Sequence, residues 1–162
     1  MTLTVQPINT PNNNKNFYPA DWLWKMVELP FAASVAMEAG TAVATQIVSN
    51  TTTGNYTKTT ATNANWANFA WILCEAIATT DADYATAGKR KSVWVPVTPA
   101  ALAEFRVWAW TFTAVDVGKV VSFHSDSSSL AVDTAWNGAI IKGLISSTRG
   151  ICSFEVASTV TA

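Results

Sequence analysis

The residues that could do chemistry in this chain are few, and their spacing argues against most reactions. His124 is the single histidine and sits in VSFHSDSSS, Val121–Ser129. A Ser–His–Asp site needs its three groups brought together by a fold, with an oxyanion pocket beside the serine. Neighbours along a strand point to opposite faces, so His124 and Ser125 diverge. No G-x-S-x-G nucleophile elbow is present. The Asp81-Ala82-Asp83 triplet resembles the start of a calcium loop, but the next glycine is Gly88 and no glutamate follows in the loop. It reads as a solvated turn. Glu38, Glu75, Glu104 and Glu155 are scattered, with no pair that suggests two-carboxylate chemistry. The basic cluster GKRK, Gly88–Lys91, is too short for a nucleic-acid tract, and no glycine-rich phosphate loop appears. Cys74 and Cys152 belong to no metal-spaced group and read as small buried hydrophobes rather than a disulfide. The expectation is no catalytic residue, no metal and no cofactor.

Tryptophan is the anomaly. There are eight in 162 residues. Trp22 and Trp24 are two apart and would share one strand face, and Trp108 and Trp110 do the same. Such stripes serve as core, as an intersubunit surface or as a sugar-stacking platform. Aromatic residues are enriched where proteins grip one another, while a sugar platform calls for polar partners beside the ring. The candidate contact residues are therefore Asn12, Asn13, Asn14, Phe17, Tyr18, Trp22, Trp24, Trp108 and Trp110.

Composition points the same way. Hydrophobic residues make up 49% of the chain and charged ones only 13%, with a formal net charge of -1. That supports a real core and argues against a polyanionic partner. A surface polar through Thr, Ser and Asn suits broad, lasting contacts. No apolar run approaches the roughly 18 residues of a membrane span, and the start MTLTVQPINT has no secretory pattern. A product made in a cytoplasm, staying there or leaving within an assembly, is expected.

These groups must be positioned by short β elements. Residues 1–19 read as an extended arm, rich in proline and asparagine. DWLWKMVELPF reads as a strand ending near Pro30, and GTAVATQIVSN as another. TTTGNYTKTTAT reads as a hairpin around Gly54-Asn55. SVWVPV is an apolar strand. Thr98 followed by Pro99 predicts the start of a short helix, TPAALAE. RVWAWTFTA alternates as a strand, and Thr113–Asp116 can cap one helical turn. Four more strand-like pieces complete the chain: GKVVSFHS, SLAVDT, AWNGAIIKGLIS and RGICSFEV.

The chain also repeats itself. ANFAWILCEAIA, Ala67–Ala78, is echoed by AWNGAIIKGLIS, Ala135–Ser146. Gly40-Thr41-Ala42-Val43 aligns with Gly118-Lys119-Val120-Val121, Trp66 with Trp136, CEAI with KGLI, and Arg90 through Val97 with Arg149 through Val156. Order is kept throughout, which predicts an internal duplication. Four short strands with one apolar face cannot bury that face alone. Two units can cover one another, or each can curl into a barrel. The resulting expectation is a mainly β fold, a small β-barrel or β-sandwich built from two similar β-rich units, with an extended N-terminal arm and one or two very short helices. The boundaries are 1–19 for the arm, 20–97 for the first unit, 98–104 for a short helical connector and 105–162 for the second unit.

LPFAASVAMEAGTAV, WILCEAIATTDADYATAGKRKSVWVPV and DVGKVVSF with GLISSTRGICSFEV together resemble the small capsid decoration, or cement, proteins of tailed bacteriophages, over roughly residues 22–157. The pattern departs at Trp71 and Cys74, where small residues are expected. The resemblance implies a compact β module without enzyme activity. It implies homo-oligomers, with a trimer favoured, on the capsid exterior after assembly in the host cytoplasm. It also implies an arm that locks onto the major capsid protein lattice, with no nucleic acid or membrane as partner. A carbohydrate- or host-binding module of a phage fibre or spike is the alternative.

Overall fold

The computed structural model describes residues 17–59, 71–107, 111–123, 130–134 and 139–154. Strand β1 (Tyr18–Pro19) comes first, followed by β2 (Trp24–Phe31), β3 (Ala42–Val48), β4 (Thr51–Lys58), β5 (Trp71–Leu73) and β6 (Lys89–Pro96). Strands β2 to β6 close into a barrel in the order β2-β4-β3-β5-β6. The closing contact is a short parallel one, Phe31 against Tyr56. The second group is β7 (Leu102–Arg106), β8 (Val120–Phe123), β9 (Leu130–Thr134), β10 (Ala139–Ser146) and β11 (Arg149–Ser153). With β1 it forms a six-stranded sheet ordered β1-β7-β11-β10-β8-β9. The fold is mainly β and made of two similar units, as its sequence predicts.

The likeness extends to single hydrogen bonds. In the first unit Ala42 pairs with Ile72, Ile72 with Trp94 and Leu73 with Val93. In the second, Val120 pairs with Ile140, Ile140 with Ser153 and Ile141 with Cys152. These are the partners that the sequence alignment of the two halves requires. Gly40 donates its N–H to the Leu73 carbonyl at 2.7 Å, and Gly118 donates to Ile141, also at 2.7 Å. Both glycines have positive φ, 83° and 91°, a conformation that costs a residue with a Cβ. Each half needs glycine there to turn the chain into its second strand, β3 in one and β8 in the other.

The units differ in how they cover their inner faces. The barrel encloses Phe31, Met37, Val43, Leu73, Ile77 and Val93. The open sheet lines its inner face with Ala103, Phe105, Val121, Ala139, Ile141 and Cys152, and the same apolar cluster takes in Trp24, Ala42 and Ile72 from the barrel's outer wall. Phe17 and Trp24 both meet the Phe154 ring edge-on, at 5.5 and 6.0 Å between centroids. Two charged side chains are also buried among the described residues, Lys89 and Glu104. Lys89 points inward, and its Nζ donates to the carbonyls of Ala32 at 2.6 Å, Tyr84 at 3.0 Å and Thr86 at 3.4 Å. Burial pushes this ammonium's pKa down, and the three carbonyls are what make the site tolerable.

Several local expectations differ from the structure. The segment Thr98–Glu104 holds no helix. Thr98 accepts the Ala101 and Ala100 amides, at 3.1 Å on its carbonyl and 3.2 Å on Oγ1, and so closes a turn. The segment Leu102–Phe105 then joins the β11 ladder, where tertiary pairing outweighs helix propensity. Tyr18 and Pro19, at the end of the 1–19 segment, pair with β7 in the second sheet, and residues 1–16 lie outside the described residues. The hairpin between β3 and β4 turns at Ser49-Asn50, with φ of 50° and 60°, the pair of left-handed residues that matches strand twist. Gly54 lies within β4, whose pairing with β3 shifts register between Thr45 and Ile47. Strand β7 ends at Arg106, and Val107 and Phe112 bond to the Thr148 and Ser147 carbonyls instead of continuing it. The one-turn helix capped by Thr113 is present, over Ala114–Asp116, with Asp116 accepting the Thr113 amide at 2.8 Å.

Packing around Gly150 gives a direct check. A Cβ there would stand 2.5 Å from the Gly143 carbonyl oxygen and 2.7 Å from Phe105 Cζ. Gly150→Ala is expected to cost about 2–3 kcal/mol of stability, read by urea unfolding, since a packed core admits an extra methyl only by strain. Gly143→Ala, with nothing within 4 Å of its Cβ, is the control and should cost less than about 1 kcal/mol.

Candidate interaction surface

Among the described residues no group of three or more His, Cys, Asp or Glu side chains is placed to hold a metal. His124 lies outside the described residues. Asp81 and Asp83 face Lys91 Nζ at 3.8 and 3.6 Å, and Asp81 also accepts the Ala78 amide at 2.9 Å. They hold the loop before β6 together. Both cysteines are free thiols. Burial, then the charge of Glu75, pushes the Cys74 pKa up to about 12, and burial alone raises that of Cys152 further. A thiol held so far above its ordinary value is a poor nucleophile at neutral pH.

The aromatic candidates separate sharply. Asn12, Asn13, Asn14, Trp108 and Trp110 lie outside the described residues. Phe17 is fully buried, Tyr18 is half-buried in β1, and Trp24 is only 8% exposed. Trp22 is 89% exposed. Trp22 and Trp24 therefore do not share a face in one strand. Trp22 precedes β2, while Trp24 opens it, turned onto the second sheet.

What holds Trp22 outward is a clasp built on either side of it. Asp21 accepts the Leu23 amide at 3.0 Å on one carboxylate oxygen and the Leu102 amide at 2.9 Å on the other. The Leu102 carbonyl accepts from the Ala20 amide and from Trp24 Nε1, both at 2.8 Å. Leu23 in turn accepts the Val97 amide at 2.7 Å. The residues before and after Trp22 are thus tied to both units, and Val97, bonded to Leu23, is itself 59% exposed. Trp22 is the largest apolar side chain that the described residues expose, and the backbone that carries it is anchored on both sides. The exposure of Val97 and Met26 was not legible in the sequence. Val97 continues the inward alternation of β6 past Pro96, where the barrel ends, whereas Met26 lies with Glu28 on the outer face of β2.

A second feature becomes visible only when the halves are superposed by register. Glu28 and Arg90 in the first unit correspond to Glu104 and Arg149 in the second, and each forms an ion pair. The first pair is open to solvent, with side chains 66% and 60% exposed. In the second, Glu104 is 6% exposed and receives both Nε and Nη2 of Arg149, a bidentate fork. Those hydrogen bonds raise the Arg149 pKa. Arg106 adds a further contact to Glu104 at 3.6 Å.

No family model, curated protein or solved structure matches this chain.

Two outcomes check this geometry. Glu104→Gln should cost about 3 kcal/mol, because it leaves a guanidinium without its buried counter-charge. The equivalent change Glu28→Gln should stay within about 1 kcal/mol, as for any exposed pair. Urea unfolding of the two variants side by side measures the contrast. In the native protein, iodoacetamide at pH 8 should leave both thiols unmodified over hours, whereas unfolded chain should take two labels; mass spectrometry reads the difference.

Proposed function

We propose that this chain is a virion structural protein that decorates a bacteriophage capsid and stabilises it by binding the assembled major capsid protein lattice. In this reading it works by covering surface and transforms no molecule. It sits on the capsid exterior as a homo-oligomer, after assembly in the host cytoplasm. The observation that carries the reading is Trp22, displayed at 89% exposure between two residues tied to both units. The low charge of the chain and its resemblance to cement proteins add support.

Mechanistically the reading needs only linkage. A subunit that binds the assembled lattice and ignores the free shell protein shifts the equilibrium toward the lattice. At a hundred times its dissociation constant it contributes about 2.7 kcal/mol per site. A contact of standard size, about 1,600 Å², suffices when an aromatic anchor sits near its centre. Sugar stacking on Trp22 is the weaker reading. The adjacent acid, Asp21, already engages both carboxylate oxygens with backbone amides and is not turned toward a ligand on the ring.

The test is co-sedimentation of purified protein with assembled, expanded heads and with unassembled shell protein. Wild type should bind the heads only. Trp22→Ala should weaken binding about 30-fold or more, as expected for an aromatic hot spot, with an unchanged melting temperature. A chain lacking residues 1–16 should fold and lose occupancy. Unchanged occupancy in both variants would overturn the proposal, and tight Trp22-dependent binding on a glycan array would replace it with the carbohydrate reading.

A further inference from the structure

The two units present the same strand edge in two states. Strand β7 carries β1 on its outer edge, with Tyr18 opposite Glu104 and Pro19 opposite Ala103. The Ala20 amide reaches the Leu102 carbonyl, and the Asp21 carboxylate takes the Leu102 amide. The register of the repeat makes β2 the equivalent of β7, with Met26 in the place of Leu102 and Glu28 in that of Glu104.

Alternation fixes which groups of β2 face outward. The carbonyls of Leu23 and Phe31 accept from Val97 and Gly88 on the β6 side, while the Ala32 amide goes the other way, to Tyr56. In an antiparallel ladder the directions alternate, so Met26 and Glu28 aim their backbone groups away from β6. Among the described residues no strand pairs with them on that side, and β4 reaches β2 only at Phe31. Met26 is 55% exposed, as a residue at an uncovered edge should be.

Arginine shows the difference between the states. In the first unit Arg90 donates Nη2 to the Glu28 backbone carbonyl at 2.7 Å, and its Nε lies 3.7 Å from the Glu28 carboxylate. In the second, a strand sits on that edge and Arg149 grips the carboxylate of Glu104 with two nitrogens. Arg90 thus satisfies the carbonyl that a docked strand would take.

We infer that the Met26–Glu28 edge of β2 is a strand-acceptor site, and that its occupant is the Phe17–Asp21 segment of a second copy of this chain. That segment already fits the equivalent edge within one chain. On β2 its Ala20 amide would donate to the Met26 carbonyl, its Asp21 carboxylate would accept the Met26 amide, and Tyr18 would stand opposite Glu28. Arg90 would swing from the Glu28 carbonyl to the carboxylate, as Arg149 does. The contact is β-augmentation, and it is an exchange: the β7 and β2 edges compete for one segment per chain. The inference does not rest on the virion reading.

The experiment uses the full chain and a synthetic peptide spanning Lys15–Asp21. Hydrogen exchange at saturating peptide should slow at the Met26 amide by tenfold or more. The same peptide N-methylated at Ala20 should give no protection. Arg90→Met, which frees the Glu28 carbonyl, should bind peptide about tenfold more tightly and shift self-association to lower concentration by sedimentation velocity. Met26→Pro removes the outward amide and should abolish both effects; the methylated peptide gives the same information should that variant fail to fold. Absence of protection at Met26 with the unmodified peptide, or equal protection by the methylated one, overturns the inference.

Discussion

A β-sheet that does not close on itself must cover its inner face with something else, and this requirement organises the whole molecule. The first unit meets it by closing, with Phe31 set against Tyr56 at the seam. The second unit stays open and uses the outer wall of the first, where Trp24, Ala42 and Ile72 join its apolar cluster. Burial of such side chains is worth roughly 1.5–3 kcal/mol for each large one, so neither half is an independent bead. The clasp at Leu102 is the polar side of the same junction. Its amide and carbonyl are both taken by residues 20–24, leaving neither backbone group of Leu102 unpaired.

The same junction explains why the ion pairs of the two halves behave differently. A Glu–Arg pair across two strands is cheap when both ends remain in water, and contributes little there. Cover one end, and the carboxylate must be fully satisfied or it becomes a cost. Glu104 is covered where β1 lies along β7, and it is the one that receives a bidentate guanidinium and a second arginine nearby. Glu28 lies on an edge that no described strand pairs with, and its arginine divides itself between carbonyl and carboxylate. Sequence position is equivalent; solvent access decides the geometry.

Much of this was legible in the amino-acid order. The β class, the two-unit plan and the aligned pieces around Gly40 and Gly118 follow from patterning and from the need of each half for a left-handed glycine. What escaped was local or non-local in a specific way. Thr98-Pro99 has the chemistry of a helix start, but Leu102–Arg106 is claimed by the β11 ladder, which no local propensity reports. Gly54-Asn55 has hairpin composition, yet Ser49-Asn50 makes the turn because the apolar register of β3 ends at Val48. Trp22 and Trp24 look equivalent on paper. They part company because Asp21 anchors the chain between them and Trp24 turns its indole N–H onto Leu102, a residue 78 positions away.

Comparing equivalent positions separates what the repeat needs from what each copy does with it. Residues alike in both halves are core, backbone and edge requirements: Val43 with Val121, Ile72 with Ile140, Gly40 with Gly118, Glu28 with Glu104, Arg90 with Arg149. Where they differ, the surroundings differ. Leu29 and Lys91 of the barrel become Phe105 and Gly150 in the open sheet, so a larger ring lies over a bare backbone. Trp71 becomes Ala139, and only in the barrel does a stacked partner, Tyr56 at 5.1 Å, fill the space. Trp24 stands where the second half has Ala100, because only the first half has a neighbour's inner face to fill. Trp22 breaks this logic. It stands where the second half has Thr98, it fills no space within the chain, and the backbone on both sides of it is fixed. At 89% exposure on a backbone fixed on both sides, it is the side chain that the proposed lattice contact would use.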